Sequence, residues 1–169
     1  MVAVRPEEPP DHEGVRDVLE GAFGVDSPEA GLVDALRAAG DHVPELCLVA
    51  VDGKQVVGHV FFSRARIASG EAILALAPMA VRPDRQRRGI GSQLVAEGLE
   101  RAAATEYPLV VLLGHPEYYP RFGFEPAGGF GVDAPWEVPP EAWMVRPLPA
   151  YRPDVRGLVT YPPAFDAAV

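Results

Sequence analysis

A cluster of cationic side chains and glycines marks the place where an apolar segment changes into an amphipathic one. These residues are Arg82, Arg85, Arg87, Arg88, Gly89 and Gly91. Glycines let a backbone approach a ligand closely, and the first N–H groups of a helix have no internal partners at its positive end. The combination predicts an anion site, above all one for phosphate.

This segment has an alternative interpretation without a ligand. In it, the glycines only make a tight helix entry and the arginines only form a solvated charged surface. We favour a ligand because the cluster lies between a strand and a helix, where open α/β sheets place ligands.

Two common phosphate-binding motifs do not match this segment. A dinucleotide fingerprint would need a third glycine where Leu94 stands, and the Gly-Lys-Ser/Thr of a triphosphate loop is absent.

The elements before this segment follow from apolar periodicity and turn residues. After a short edge strand near the start, helical spacing predicts one helix ending at Phe23 and a second helix from the N-cap Ser27 to Gly40. Asp52-Gly53 favours a hairpin turn between the β-rich stretches Leu46 to Val51 and Gln55 to Ile67.

The elements around the cluster predict a strand, helix, strand unit. The strands run from Ala72 to Val81 and from Leu109 to Leu113, and the helix runs from Gly91 to Ala104. Such a crossover makes the two strands parallel, so with the hairpin we expect a mixed sheet in an α/β protein. Pro78 has no N–H for a ladder and predicts a bulge or a lost partner in the first strand.

Length and charge limit the classes of function. The 169 residues predict one domain, residues 1–169, with a Pro-rich C-terminal part, residues 126–169, packed on it. That part holds nine of the 19 prolines. With 15 Lys and Arg against 24 Asp and Glu, the net charge is −9, which argues against a nucleic-acid partner.

Cysteine usage and apolar runs predict a cytoplasmic protein with no membrane partner. Cys47 is the only cysteine, which excludes an internal disulfide and a Cys-rich zinc site. The longest apolar run, Ala72 to Val81, is shorter than the ~20 residues that span a bilayer. Met1 to Pro10 contain no apolar block of the kind found in secretory signals, and we expect no metal ion.

The segment Gln86 to Gly91, QRRGIG, resembles the Gln/Arg-x-x-Gly-x-Gly/Ala signature of the GCN5-related N-acetyltransferase (GNAT) superfamily. The resemblance extends through Ala77 to Pro83 and Gly114 to Phe124, which look most like the YhbS-like branch. It covers about Val2 to Ala127. It implies a mixed, mostly antiparallel central sheet with a splayed parallel strand pair and helices on both faces.

The same resemblance implies that acetyl-CoA is the cosubstrate. Backbone N–H groups from Arg87 to Ser92 would surround the pyrophosphate, and the backbone of Met79 to Val81 would pair with the pantetheine arm. An N–H near Met79 or Ala80 would polarise the thioester carbonyl. The coenzyme-binding residues implied are Met79, Ala80, Val81, Gln86, Arg87, Arg88, Gly89, Ile90, Gly91, Ser92 and Tyr119.

A pair of tyrosines follows the second parallel strand. Pro116 suits the first turn of a short helix that carries Tyr118 and Tyr119 and ends at Gly123. Tyr119 matches the tyrosine of the superfamily's Tyr-x-x-x-Gly-Phe motif, and the resemblance implies that it is the general acid toward the departing thiolate. For Tyr118 we expect packing against the sheet.

A base for the amine is less clearly marked. The candidates are, in order, His115, Glu71 and His59, and a chain of water molecules is an alternative. The acceptor is expected to be a primary amine of a small molecule or peptide, attacking the thioester directly. Aromatic residues of the C-terminal part could line its pocket or anchor loops: Trp136, Trp143, Tyr151 and Tyr161.

Two functions other than catalysis remain possible from the sequence. One is a non-catalytic acyl-CoA-binding or regulatory module that keeps the phosphate turn, and the other is a nucleotide-binding protein that uses Arg85 to Ser92. Competition by adenine nucleotides that lack the pantetheine arm would distinguish the latter. The sequence is compatible with a monomer and with a homodimer.

Overall fold

The structure is a computed structural model and describes residues 1–168. Its α-helices among those residues are α1 (His12–Phe23), α2 (Pro28–Ala39) and α3 (Ile90–Ala103). The first five strands are β1 (Val2–Pro6), β2 (Leu48–Asp52), β3 (Gln55–Ile67), β4 (Ala72–Val81) and β5 (Leu109–Leu113). The later strands are β6 (Glu125–Pro126), β7 (Val132–Asp133), β8 (Trp143–Pro147) and β9 (Gly157–Thr160).

The strands form a mixed sheet, as the sequence predicts. Its order is β1-β2-β3-β4-β5-β8-β6, and each neighbouring pair is antiparallel except β4 and β5. The parallel pair is connected through α3, which is the crossover expected for strand, helix, strand. This connection places the start of α3 just beyond the end of β4.

The predicted hairpin between β2 and β3 is confirmed, with its turn one residue later than Asp52-Gly53. Asp52 pairs with Gln55, so that Gly53 and Lys54 form the two-residue loop. Gly53 adopts φ 63°, in the left-handed region that glycine tolerates.

Helices cover both faces of the sheet. Successive side chains of a strand point to opposite faces, so apolar residues on both faces need a helix to pack against. Leu48 and Ala50 of β2 belong to the core beneath α3, whereas Val49 between them belongs to the core beneath α1 and α2. Each apolar side chain buried in this way contributes about 1.5–3 kcal/mol. The helix faces predicted from apolar spacing are therefore the faces that pack.

Helix α2 begins and ends where the sequence predicts, but the hydrogen bond expected from the N-cap side chain is not formed. Gly40 ends the helix in a left-handed conformation, φ 72°. Ser27 has the extended backbone of an N-cap, but its hydroxyl donates to the Gly24 carbonyl over 2.6 Å and does not cap an α2 N–H. The predicted N-cap is therefore correct in position only.

The Pro-rich C-terminal part pairs with the sheet at two places. Strand β8 lies antiparallel to β5 along its whole length, and β9 pairs with the end of β3. Trp143 and Val145 of β8 are buried in a third core cluster.

Among residues 1–168, no helix has both the length and the hydropathy that crossing a membrane requires.

Candidate active site

The turn between β4 and α3 has an unusual backbone. Arg87 has φ 65° and Gly89 has φ 83°, both in the left-handed region, and α3 starts at Ile90. A positive φ is uncommon for a residue with a side chain, so Arg87 marks a tightly constrained turn. Backbones that enter the left-handed region in this way can direct successive N–H groups toward one side, where they bind anions.

The N–H groups of this turn have no acceptor in the protein. From Arg87 to Ser92, none donates a hydrogen bond to another of the described residues. Gly89 is the N-cap of α3, there is no side-chain cap, and the first turn contains no acidic residue. The positive end of the helix is therefore open to an anion, as the sequence predicts.

The four arginines of the turn divide into two pairs. Arg85 donates to Asp52 over 2.7 Å and Arg82 to Asp84 over 3.1 Å, so these two have partners. The exposed side chains of Arg87 and Arg88 have no ion-pair partner within residues 1–168. Two cationic side chains therefore remain available to an anionic ligand.

Gln86 stabilises the turn through a hydrogen bond to another part of the chain. Its side-chain amide donates to the Val81 carbonyl over 3.1 Å, which ties the turn to the end of β4. The resemblance placed Gln86 among the coenzyme-binding residues. The structure gives its amide an internal partner, which fits a residue that shapes the turn.

The parallel strands separate before they reach the turn. Strands β4 and β5 pair only at Leu74 with Val110 and at Ala75 with Val111, and the remainder of β4 has no strand partner on that edge among the described residues. On its other edge, the pairing with β3 shifts register between Val60 and Phe62, opposite Pro78. The irregularity predicted from Pro78 is thus present, and it adjoins an open wedge.

Met79 connects the wedge to the turn. A Cβ atom built on Gly91 would lie 3.6 Å from Cε of Met79 and 3.5 Å from the hydroxyl of Tyr118. The first turn of α3 therefore lies directly beside the side chain of Met79. A ligand with its anion on the turn can extend into the wedge.

The wedge opens into a cleft of about 710 Å³, which we call the β4–β5 cleft. It is lined by Phe23, Glu29, Leu32, Leu76, Ala77, Pro78, Met79, Leu113, Gly114, His115, Tyr119, Trp136, Glu137, Val138, Tyr161 and Phe165. These residues come from α1, α2, the separated strand ends and the C-terminal part. Its volume is in the range of small-molecule sites.

Tyr119 lies on this cleft, half-buried, with its ring edge-to-face against Tyr118 and Phe124. Burial raises the pKa of its phenol to about 12. The phenol is therefore protonated at neutral pH, as an acid must be before it acts. A Cβ on Gly114 would lie 2.6 Å from its ring, so this glycine, which the sequence analysis did not single out, gives the ring its space.

The short helix that carries Tyr119 differs from the one expected. It is a 3-10 helix from Tyr119 to Phe122, so it starts three residues after Pro116, which lies in the preceding turn. Pro120 occupies its first turn, where the missing N–H is tolerated. Gly123 ends it with φ 86°, as predicted.

Tyr118 does more than pack against the sheet. Its hydroxyl lies 3.1 Å from Oγ of Ser92, in the first turn of α3. This contact joins the loop after β5 to the anion turn and holds the two sides of the wedge together. The sequence signal was the adjacent tyrosine pair, of which we assigned only Tyr119 to the site.

The three candidate bases lie in three different places. His115 is on the rim of the β4–β5 cleft, 82% exposed, with Nδ1 3.8 Å from Glu117. Glu71 lines a separate cavity of about 930 Å³ at the opposite end of β4, and it contacts Ser69 and Arg152. The structure therefore does not bring Glu71 to the cleft, because the start and the end of a ten-residue strand are far apart.

His59 is also separated from the cleft. It is fully buried on the α1 and α2 side of the sheet, with Nε2 3.5 Å from Glu7. Burial lowers the pKa of its imidazole, against the opposing effect of Glu7. Within residues 1–168, no group of three His, Cys, Asp or Glu side chains is arranged to hold a metal ion.

The four aromatic residues of the C-terminal part divide between the two expected roles. Trp136 and Tyr161 line the cleft. Trp143 donates its indole N–H to the Val132 carbonyl over 3.0 Å, and Tyr151 packs edge-to-face on Phe130. Glu29 was not predicted from the sequence, because nothing in its own segment, the first turn of a surface helix, indicates that α2 reaches the cleft.

Comparisons with known proteins agree with this geometry. Residues 3–127 match the acetyltransferase (GNAT) domain family. The chain is 40% identical over 148 residues to the uncharacterized N-acetyltransferase YjhQ of Escherichia coli K12, covering 83% of this chain and 81% of YjhQ. It is 37% identical over 167 residues to the uncharacterized N-acetyltransferase YhbS of the same strain, covering 96% and 98%.

Two solved structures are similar along nearly the whole chain. The crystal structure of E. coli YhbS in complex with CoA has a TM-score of 0.89 at 36% identity, covering 98% of this chain and 92% of the other. A GNAT family acetyltransferase from Brucella melitensis in complex with acetyl-CoA has a TM-score of 0.81 at 33% identity, covering 98% and 99%.

Proposed function

Since the chain belongs to the GNAT family of N-acetyltransferases, we propose that it moves an acetyl group from acetyl-CoA to a primary amine of a small molecule or peptide. Residues 1–169 act as a single domain in this proposal. The Pro-rich part, residues 126–169, forms one wall of the β4–β5 cleft through Trp136 and Tyr161.

The observation that carries the proposal is the row of N–H groups from Arg87 to Ser92 without an internal acceptor. A diphosphate needs several donors and positive charge, and this turn offers both, with Arg87 and Arg88 beside it. The unpaired edge of β4 from Leu76 onward gives the pantetheine arm a backbone to pair with. Two structurally similar proteins hold CoA or acetyl-CoA, which supports the same ligand here.

The chemistry requires no covalent enzyme intermediate. The acceptor enters as an ammonium and loses one proton, and its nitrogen then attacks the carbonyl carbon of the thioester. The new C–N bond forms as the C–S bond breaks, and the thiolate takes a proton from the phenol of Tyr119. The nitrogen then gives up its second proton, which leaves a neutral amide, and a proton taken up from water restores the phenol of Tyr119. In this proposal, an N–H near Met79 or Ala80 stabilises the carbonyl oxygen as it gains charge.

The proton of the ammonium leaves through the open side of the cleft. Of the three bases expected from the sequence, His115 is the one on the cleft, and we assign it to this step. Its exposure lets it exchange the proton with water. Glu71 and His59 have no part in the proposed reaction, because Glu71 lines the other cavity and His59 is buried away from the cleft.

The proposal is tested by following the release of the CoA thiol from acetyl-CoA in the presence of a panel of primary amines. We expect release that depends on the amine, together with an acetylated amine detected by mass spectrometry. Tight acetyl-CoA binding with no release across a wide panel would contradict catalysis and favour the non-catalytic binding module. Binding of adenine nucleotides with equal strength would contradict the role assigned to the wedge.

A further inference from the structure

The β4–β5 cleft has apolar walls that the protein leaves uncovered. Phe23, at the end of α1, and Leu113, at the end of β5, are 45% and 48% exposed. On the C-terminal side, the ring of Tyr161 lies 4.7 Å from those of Trp136 and Phe165, centroid to centroid. Large apolar side chains left exposed around a concave site favour a ligand whose carbon skeleton is itself apolar or aromatic.

The charged side chains on the cleft are of one sign. Glu29 comes from the first turn of α2, and Glu137 from the loop before β8. No Lys or Arg of residues 1–168 lines the cleft, so His115 is the one basic side chain among the described lining residues. Carboxylates set among apolar walls create a negative potential that attracts a cation.

One atom of Glu29 is left without a hydrogen-bond partner. Its Oε2 is buried and accepts no hydrogen bond from any other described residue. A buried acceptor without a donor is unfavourable, so such a group calls for a partner that the protein does not supply. An ammonium group carries three donors and a positive charge, which suit a carboxylate with an unused lone pair.

We propose that the acceptor is a cationic amine with an apolar or aromatic skeleton, and that Glu29 is the residue that binds its ammonium group. The skeleton packs on the rings of Phe23, Trp136 and Tyr161 that line the cleft, and these rings favour a nearby cation. The inference rests on the proposed function for the reaction that follows. Amine binding itself, however, can be measured without acetyl-CoA.

The test is calorimetric titration of the full chain, without acetyl-CoA, with phenethylamine, tryptamine and hexylamine and with the matching alcohols 2-phenylethanol, tryptophol and hexanol. We expect at least one amine to bind at least 10-fold more tightly than its alcohol. Glu29→Gln keeps the shape of the side chain but removes its charge, so this preference is lost. Glu13→Gln is the matched control, because Glu13 lies in the first turn of α1 and does not line the cleft.

Thermal unfolding checks that the variants fold. Trp136→Leu gives a second variant in the lining of the cleft and is expected to weaken binding of the aromatic amines. The proposal is overturned if no amine is preferred over its alcohol, or if the Glu29→Gln variant keeps the preference. Acetyl transfer to apolar amines with an unchanged KM in Glu29→Gln also overturns it while leaving the proposed function intact. Amine binding that depends on Glu29, without any release of CoA, supports this inference and contradicts the proposed function.

Discussion

At the scale of single residues, the account depends most on the phenol of Tyr119. Its ring is fixed by edge-to-face contacts with Tyr118 and Phe124 and by the absence of a side chain at Gly114. Burial raises its pKa to about 12, so the phenol remains protonated throughout the neutral range. It is therefore always in the form that can give a proton to a leaving thiolate.

We expect Tyr119→Phe to lower kcat about 100-fold, since this is the usual size of a general-acid contribution. The KM for acetyl-CoA should change little, because the hydroxyl acts after binding. Steady-state kinetics measured by thiol release check both values. Tyr151→Phe is the control, since Tyr151 packs on Phe130 outside the cleft, and an equal loss in both variants would contradict the assigned role.

The anion turn could be predicted well from the sequence because its residues belong to one local segment. Arg87, Gly89 and the helix start lie next to one another in the chain, so their geometry follows from local backbone preferences. Glu29, which was not predicted, lines the same cleft as Trp136, although more than a hundred residues separate the two in the sequence. Their approach is decided by how α2 and the C-terminal part pack on the sheet, which no local pattern encodes.

At the scale of elements, the position of α3 decides where the anion turn lies. The helix comes unusually close to β3 at Gly98, where an added Cβ would lie 2.6 Å from the ring of the buried Phe62. Nearby, a Cβ on Gly58 of β3 would lie 2.9 Å from Leu94 of the helix. Two glycines on facing elements therefore bring the helix and the sheet into close contact.

We expect Gly98→Ala to destabilise the protein by about 1–3 kcal/mol, because the methyl group has no space against Phe62. Gly31→Ala is the matched control, since Gly31 is also helical but has nothing within 4 Å of its Cβ position. There the gain in helix propensity should stabilise by about 0.5–1 kcal/mol. Urea denaturation measures both changes, and equal effects of the two substitutions would contradict the proposed close packing.

The long elements could be predicted from sequence, and the short ones less well. The apolar spacing of α1, α2 and α3 and the β-rich runs of β2 to β5 extend over several residues, so their periodicity is clear. The short helix near Tyr119 was placed too early because Pro116 and Pro120 both suit a first turn. The register shift opposite Pro78 was expected, since a residue without an N–H cannot continue a ladder.

At the scale of the whole molecule, Glu7 joins several elements beside the end of β1. Its carboxylate accepts two hydrogen bonds from Arg37 of α2, over 2.8 and 3.0 Å, and contacts His59 of β3 and His12 of α1. Burial raises the pKa of Glu7, but the contacts with His59 and Arg37 lower it and outweigh burial, giving about 2. The folded protein therefore holds this carboxylate in its charged form.

Because the folded pKa of Glu7 lies below its ordinary value, its contribution to stability is present above about pH 4.5 and is lost as the pH falls toward 2. Glu7→Gln should cost about 2 kcal/mol at pH 7, since the partly buried Arg37 loses its charged partner on Glu7 and keeps the longer contact with Asp34. The variant should also lose less stability than the wild type between pH 5 and pH 2.5.

Denaturation curves at several pH values measure these effects. Glu100→Gln is the control, since Glu100 is exposed on α3, and its stability profile should follow that of the wild type. A Glu7→Gln protein as stable as the wild type at pH 7 would contradict the structural role of this ion pair.

Binding of acetyl-CoA at the turn before α3 is the claim on which the catalytic account depends, and calorimetric titration of matched variants tests it most directly. Gly89 and Gly70 both have a positive φ and open space at the Cβ position, but only Gly89 lies on the anion turn. Gly89→Glu places a carboxylate where the diphosphate is expected, so we predict at least a 100-fold loss of acetyl-CoA affinity. Gly70→Glu, with a positive φ in the turn between β3 and β4 at the other end of β4, should bind as the wild type does. Equal affinities for the wild type and Gly89→Glu would contradict the account.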